Sequence, residues 1–345
     1  MKRKTFSLLL FLVLVGSAQP SHERLQFKLD SLRAIGNFPG LSISIVDEDN
    51  TIKTFVSGFS DLEKKIPLSA KHLLMQGSVG KTYVAAIAIM LIKNGKLSLD
   101  EKVSSYLSGY SWFSRVPNAS SITVRQIMNH ISGVMRYEFK PDFINDLNAL
   151  PTRTWKPEEL IKYVLDEKAS STAGEGWEYS DTNYILLGMI IEQLTGTKYY
   201  ELLRERILQP YELINTKPTE RNLLPGIAQG YAGKENEFKL NEKVINDDGL
   251  FVIIPQFEWT GGGIYSNTED LAKWGKLLYE GKVIDTTLML KDAVVAKLGH
   301  DTKYGLGVII RKTPQGVAYG HSGFFPGYLT ELLYFPDRKL CIALQ

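Results

Sequence analysis

Apolar side chains recur with period two at both ends of this chain and with helical period in its middle. "LSISIVDEDNTIKTFVSGFSD" (41–61) holds two β-rich runs around Asp-Glu-Asp-Asn and reads as a hairpin. After residue 300 the period returns to two. "YGLGVIIR", "GVAYGHSG" and "YLTELLYF…KLCIALQ" read as three antiparallel strands joined by short turns such as Thr-Pro-Gln-Gly. Between them, residues 78–93, "TVRQIMNH", "KPEELIKYVLD", "TNYILLGMIIEQLTG" and "KYYELLRERIL" carry apolar residues at helical spacing. Residues 225–258 are irregular and rich in turn formers. "WTGGGIYSNTEDLAKWGKLLY" then gives a glycine loop and a helix, for which Ser266 and Glu269 offer a capping box. One sheet built from both chain ends, flanked by helices and interrupted by a mainly helical region, is the α+β arrangement this order permits. The sheet parts fall at about 28–80 and 255–345, and the helical part at about 81–254.

The first residues read as an export signal. Lys2, Arg3 and Lys4 precede an apolar run from Phe6 to Val15, and Gly16-Ser17-Ala18 supplies small residues for cleavage. The run is too short to span a bilayer as a helix, so the expectation is a periplasmic or secreted protein without a stable membrane span. The chain has 40 basic and 38 acidic residues. With residues 1–18 removed the balance is 37 to 38, which gives no net pull toward nucleic acid. Cys341 is the single cysteine, so an intrachain disulfide is excluded; in "KLCIALQ" it reads as a buried small hydrophobe. The five histidines show no metal-ligand spacing, and nothing in the pattern argues for a metal or a cofactor.

"LLMQGSVGKTYVAAIAIMLI" (73–92) carries three overlapping chemical patterns. Gly80-Lys81-Thr82 is the tail of a P-loop, but the first glycine of that motif is Met75 here. Gly77-Ser78-Val79-Gly80 is most of a nucleophile elbow, but its first glycine is Gln76 and no central parallel strand precedes it. Ser78-x-x-Lys81 asks less of the backbone. Residues three apart on a helix share a face. The positive end of the helix dipole favours a developing alkoxide there, and a lysine held among apolar residues loses proton affinity and can take the serine proton.

Four further stretches follow in order: "ITVRQIMNHISGV" (122–134), "EGWEYSDTNYILLG" (175–188), "TGGGIYSNTEDLAKW" (260–274) and "YGHSGFFPGY" (319–328). Together with Ser78-x-x-Lys81 they resemble the serine β-lactamase-like family: class C β-lactamases, D-Ala-D-Ala peptidases, and the esterases and D-aminopeptidases on the same scaffold. The resemblance runs from about residue 28 to the end. It implies that Ser78 is the acylated nucleophile, Lys81 its proton acceptor, and Tyr179 a proton shuttle. It implies that His321-Ser322-Gly323 lines the substrate site, where a cation or donor meets a substrate carboxylate. It places the oxyanion between the backbone N–H groups of Ser78 and Phe324. His130 is expected to support the turn beside the site.

Three departures from the family pattern bear on function. Asp181 stands where an asparagine is usual, and an ionised carboxylate only accepts hydrogen bonds. That disfavours an acylamide carbonyl and favours simple esters or substrates with a cationic amine that Asp181 pairs with. Phe324-Phe325 replace small residues. The chain stops at Gln345, where family members continue into a helix packed on the sheet. The expected activity is hydrolysis of a small ester, amide or peptide, with the cell wall as the expected source, through an acyl-enzyme. The other reading is a penicillin-binding sensor or scaffold without turnover.

Overall fold

The two period-two ends of the chain pair with each other. The computed structural model describes residues 22–345, and the export-signal expectation for residues 1–18 lies outside the described residues. Helix α1 (His22–Gly36) leads into β1 (Gly40–Val46), β2 (Ile52–Asp61) and β3 (Ile66–Pro67). The late strands are β4 (Val294–Val295), β5 (Thr302–Tyr304), β6 (Ile309–Thr313), β7 (Gly316–Phe325), β8 (Tyr328–Phe335) and β9 (Leu340–Leu344). They form one antiparallel sheet in the order β3-β2-β1-β9-β8-β7-β6-β5-β4. The join between early and late strands is β1 with β9, where Ile43 faces Leu344 and Val46 faces Cys341.

Alternation along β9 shows how the sheet is covered. Ile342 and Leu344 point to one face, where they pack with Leu29 of α1 and with Leu41, Ile43 and Phe55. Cys341 and Ala343 point to the other, into the main core. There the helix α6 (Thr268–Tyr279) lies so close that a side chain on Gly275 would meet Cys341 Sγ and Leu332 Cδ1, each at 2.7 Å. Cys341 is buried and unpaired.

The helical part sits on that second face. Residues 77–80 form a 3₁₀ turn that runs directly into α2 (Lys81–Lys93). Ten of the thirteen residues of α2 are buried, because the helix is apolar almost all round and runs through the core. It ends at Asn94 with Gly95 at φ +68°, a left-handed residue beyond the helix end. α3 (Val124–Met128) starts at a reciprocal Thr123–Gln126 capping box, and α4 (Asp181–Thr195) ends at left-handed Gly196. α5 (Trp259–Gly262) and α6 (Thr268–Tyr279) bring the chain back to the sheet. Among the described residues no helix is long and apolar enough to cross a membrane.

Three local expectations differ from the structure. The helix expected from Ser78 is a 3₁₀ turn up to Gly80 and α-helical only from Lys81. The cap of α6 is Asn267, whose side chain accepts the Asp270 N–H at 3.0 Å. Ser266 is instead the last residue of a short strand, and its hydroxyl is bonded to Gln76 Nε2 at 2.8 Å. The run "YLTELLYF…KLCIALQ" is two strands, β8 and β9, joined by a short turn at 336–338.

Candidate active site

The 3₁₀ turn sets the distance between serine and lysine. Side chains three apart eclipse in this geometry, and Lys81 Nζ stands 3.2 Å from Ser78 Oγ. Ser78 is partly exposed, whereas its neighbours Gly77, Val79 and Gly80 are buried. Gly77 is required twice over. Its φ is +51°, and a side chain on it would meet Phe324 N at 2.6 Å. Gly323 answers from β7: a side chain there would run into the Gln76 carbonyl oxygen and stand 3.3 Å from Ser78 N. Two glycines thus let the backbone around Ser78 lie directly against the backbone around Phe324.

Lys81 is fully buried, but its ammonium is not in an apolar setting. It donates to the Asp181 carboxylate and to the Gly261 carbonyl, as well as to Ser78 Oγ. An ammonium has three N–H donors, and these three acceptors use them all. In this arrangement Ser78 Oγ accepts a hydrogen bond from Lys81 rather than donating one to it. The sequence could not show this, because Asp181 and Gly261 lie 100 and 180 residues away along the chain.

Asp181 opens α4, where an acidic residue also suits the helix dipole. Its second oxygen accepts Arg136 Nη2 at 3.0 Å. Burial alone would raise its pKa, but the Lys81 and Arg136 cations together hold it well below the usual carboxylate range. Both oxygens are therefore occupied, and the amine-binding role that the sequence suggested for Asp181 is filled from within the protein. Arg136 also pairs with Glu138, and its guanidinium lies 5.3 Å from the Tyr179 ring centroid. Nothing in the local sequence marked Arg136 or Glu138 beyond their nearness to "MNHISG".

Tyr179 precedes the N-cap of α4. Its ring centroid is 5.0 Å from Lys81 Nζ, and its buried hydroxyl has no hydrogen-bond partner among the described residues. Burial, then the Asp181 charge, push the phenol well above its ordinary pKa, against the opposing influence of Ser78 and Arg136. His130 fixes this segment: its Nδ1 accepts the Ser180 N–H at 3.2 Å, and its carbonyl accepts the Glu178 N–H at 3.0 Å. It therefore supports the turn that carries Tyr179 and Asp181.

His321 and Ser322 part company, because neighbours on a strand point to opposite faces. His321 is buried on the Tyr179 side. Burial, then the Lys81 charge, lower its pKa to about 3, so the imidazole is neutral near pH 7. Nδ1 lies 2.6 Å from the Ser322 carbonyl and must carry the proton; Nε2 then accepts the Tyr304 hydroxyl at 2.8 Å. The expectation of a cation or donor facing a substrate carboxylate is corrected for His321: both ring nitrogens are spent internally. The Ser322 hydroxyl accepts from Arg311, which also pairs with Glu331 on the same sheet face. That hydroxyl is directed away from His321, contrary to its expected substrate contact. Of the expected residues, the structure brings together Ser78, Lys81, Tyr179, Asp181, His321, Gly323 and the Phe324 backbone. Tyr304, missed by the sequence reading, completes the wall.

A sheet formed from both chain ends, with a Ser-x-x-Lys turn wedged between the sheet and a helical region, defines the class of active-site serine proteins related to β-lactamases and penicillin-binding proteins. A sequence model of the Beta-lactamase family matches residues 28–345, and the chain belongs to that family. Penicillin-binding protein 4* of Bacillus subtilis is 27% identical over 304 residues, 84% of this chain; the chain spans only 64% of that relative's length. Among solved structures, a D-stereospecific amidohydrolase from Streptomyces sp. superposes with a TM-score of 0.81 at 25% identity, covering 94% of each chain. D-amino acid amidase from Ochrobactrum anthropi SV3 gives 0.78 at 23% identity, covering 93% of this chain and 89% of that one, a likeness of fold.

Proposed function

We propose that this protein is an exported serine hydrolase that cleaves a small amide or peptide, with esters as easier substrates, through an acyl-enzyme on Ser78. The observation that carries this reading is the Ser78 Oγ–Lys81 Nζ contact of 3.2 Å on a turn pressed against the Phe324 backbone. Its similarity to an amidohydrolase over nearly the whole chain supports amides as the substrate class. The basic-then-apolar N-terminal segment supports export, and with it a cell-wall-derived substrate.

Ser78 Oγ attacks the carbonyl carbon while the Ser78 and Phe324 N–H groups hold the oxyanion; each such donor contributes roughly a hundred- to a thousandfold in rate. Lys81 and Asp181 form a fixed dipole beneath the nucleophile. The Ser78 proton passes to Tyr179, and Tyr179 gives its own proton to the departing nitrogen, so the phenol stays neutral throughout. This fits a phenol whose ionisation burial opposes. The amine leaves, and water then follows the reverse proton route to release the acid and restore Ser78.

A fluorophosphonate and a fluorescent penicillin test the reading. Label that forms on the parent and not on Ser78→Ala, and that is released with time, supports turnover. Equal label on both proteins removes Ser78 from the chemistry. Persistent penicillin label supports the sensor reading, which one observation favours: Asp181 is locked between Lys81 and Arg136 and offers no amide donor to an acylamide. A panel of p-nitrophenyl esters, nitrocefin and D-amino acid amides then ranks the substrates.

A further inference from the structure

We propose that Glu258 is the carboxylate that receives a positively charged amine of the substrate, which makes the site selective for substrates with a free ammonium group near the scissile bond. This deepens the hydrolase reading and rests on it. Three acidic side chains act electrostatically on this site: Asp181, Glu138 and Glu258. Asp181 is taken by Lys81 and Arg136, and Glu138 by Arg136. Glu258 has no ion pair or hydrogen bond among the described residues, and it is partly exposed.

Its position is close to the nucleophile. Glu258 directly precedes α5, whose Gly261 carbonyl receives Lys81. A side chain on Gly262 would run into the Glu258 carboxylate on one side and stand 2.6 Å from the Gly77 carbonyl carbon on the other. The carboxylate is thus one side chain's width from the turn that carries Ser78. The next residue, Trp259, has φ +37° and ψ −115°, a conformation that a bulky residue rarely adopts. The backbone is held out of its ordinary range immediately beside the carboxyl. Strain of this kind gathers at functional sites. Desolvation by the surrounding protein, although the side chain is partly exposed, and then the Asp181 charge raise the Glu258 pKa to about 8, against Lys81 and Arg136. An ammonium beside it supplies the missing countercharge and favours the ionised form.

The test compares kcat/KM for D-alanine p-nitroanilide, which has a free amine, with its N-acetyl counterpart. The parent is expected to prefer the free amine by about tenfold or more, mainly through KM, and Glu258→Gln to lose most of that preference. Glu258→Asp, which keeps the charge, should retain part of it. A preference that survives Glu258→Gln, or a parent that prefers the acetylated substrate, overturns the proposal. Calorimetric titration of D-alanine amide into Ser78→Ala gives an arm independent of turnover. Binding should weaken about tenfold in the Ser78→Ala, Glu258→Gln double variant, and equal or absent binding in both overturns the proposal as well. Fluorophosphonate labelling of the parent separates the two ideas. A labelled enzyme without amine preference sinks only the role of Glu258. An unlabelled one sinks the hydrolase reading, and the titration still decides Glu258.

Discussion

Asp181 binds Lys81 through one carboxylate oxygen and Arg136 through the other, the latter at 3.0 Å. The resemblance of Tyr179-Ser180-Asp181 to the family's Tyr-x-Asn element implies an asparagine at this position. Here the carboxylate is the centre of a buried charge chain, and it sets both the hydrogen bonding of Lys81 and the acid stability of the site.

Asp181→Asn tests that centre. Removing the charge leaves Lys81 without its carboxylate partner while Arg136 keeps Glu138, and breaking a buried pair from one side costs about 3–5 kcal/mol. The pH dependence has a definite sign. The folded pKa lies below the unfolded value of about 3.9, so the stabilisation is fully present above about pH 5. It is lost as the pH falls below the ordinary carboxylate range. Urea unfolding between pH 3 and 7 should show a lower midpoint for the variant near neutrality and a weaker acid dependence. Parallel curves for parent and variant would remove Asp181 from the acid limb.

Tyr179→Phe should separate stability from chemistry. The hydroxyl is buried and unpaired, and leaving a polar group in that state costs about 1–3 kcal/mol. Deleting it should leave the unfolding free energy unchanged or raised. Acylation by a p-nitrophenyl ester should nevertheless fall about 10²- to 10⁴-fold, the usual contribution of a positioned proton-transfer group. A variant that unfolds more easily yet acylates normally would contradict the relay.

The parts of the fold legible in the sequence were those written in local periods. The alternation in β1, β2 and β7–β9 and the apolar helices α2 and α4 follow from spacing alone. The ordered motifs pointed to Ser78, Lys81 and Tyr179, which the folded chain brings together, because each is tied to a local turn or helix start. Long-range electrostatics were not legible. "KTYVAAIAIML" looks like an apolar pocket for an amine, yet the folded chain brings Asp181 and Gly261 to it. Glu258 is one of many acidic residues in the sequence, and only the folded chain shows it near the turn that carries Ser78, without a partner among the described residues. The assignment of Ser322 to the substrate failed through a simpler rule. A motif read as consecutive letters ignores that neighbours on a strand face opposite sides.

Ser322→Ala follows from that rule. Its hydroxyl bonds to Arg311 on the sheet face away from His321, and Arg311 keeps Glu331 as a partner. The expected loss is that of one charge-assisted hydrogen bond, about 1.5–3 kcal/mol. Substrate selectivity across the ester and amide panel should be unchanged. A change in KM for carboxylate-bearing substrates would put the hydroxyl back in the site.

His321 is the sharpest spectroscopic test. Its Nδ1–H is committed to the Ser322 carbonyl and its Nε2 to the Tyr304 hydroxyl, and its pKa is lowered to about 3. The nitrogen NMR spectrum of the folded protein should show a neutral imidazole protonated on Nδ1, with no titration between pH 5 and 8. Linkage fixes the sign of its effect on stability. Between about pH 6.5, the unfolded value, and about pH 3 the unfolded chain binds this proton and the folded chain does not. Stability therefore falls with decreasing pH across that window, by up to about 1.4 kcal/mol per unit from this residue alone. Replacing His321 with Gln, which can still accept from Tyr304, should remove that slope. An imidazole that titrates near 6.5 in the folded protein would mean that a charged His321 faces the site, and that a substrate carboxylate can bind there.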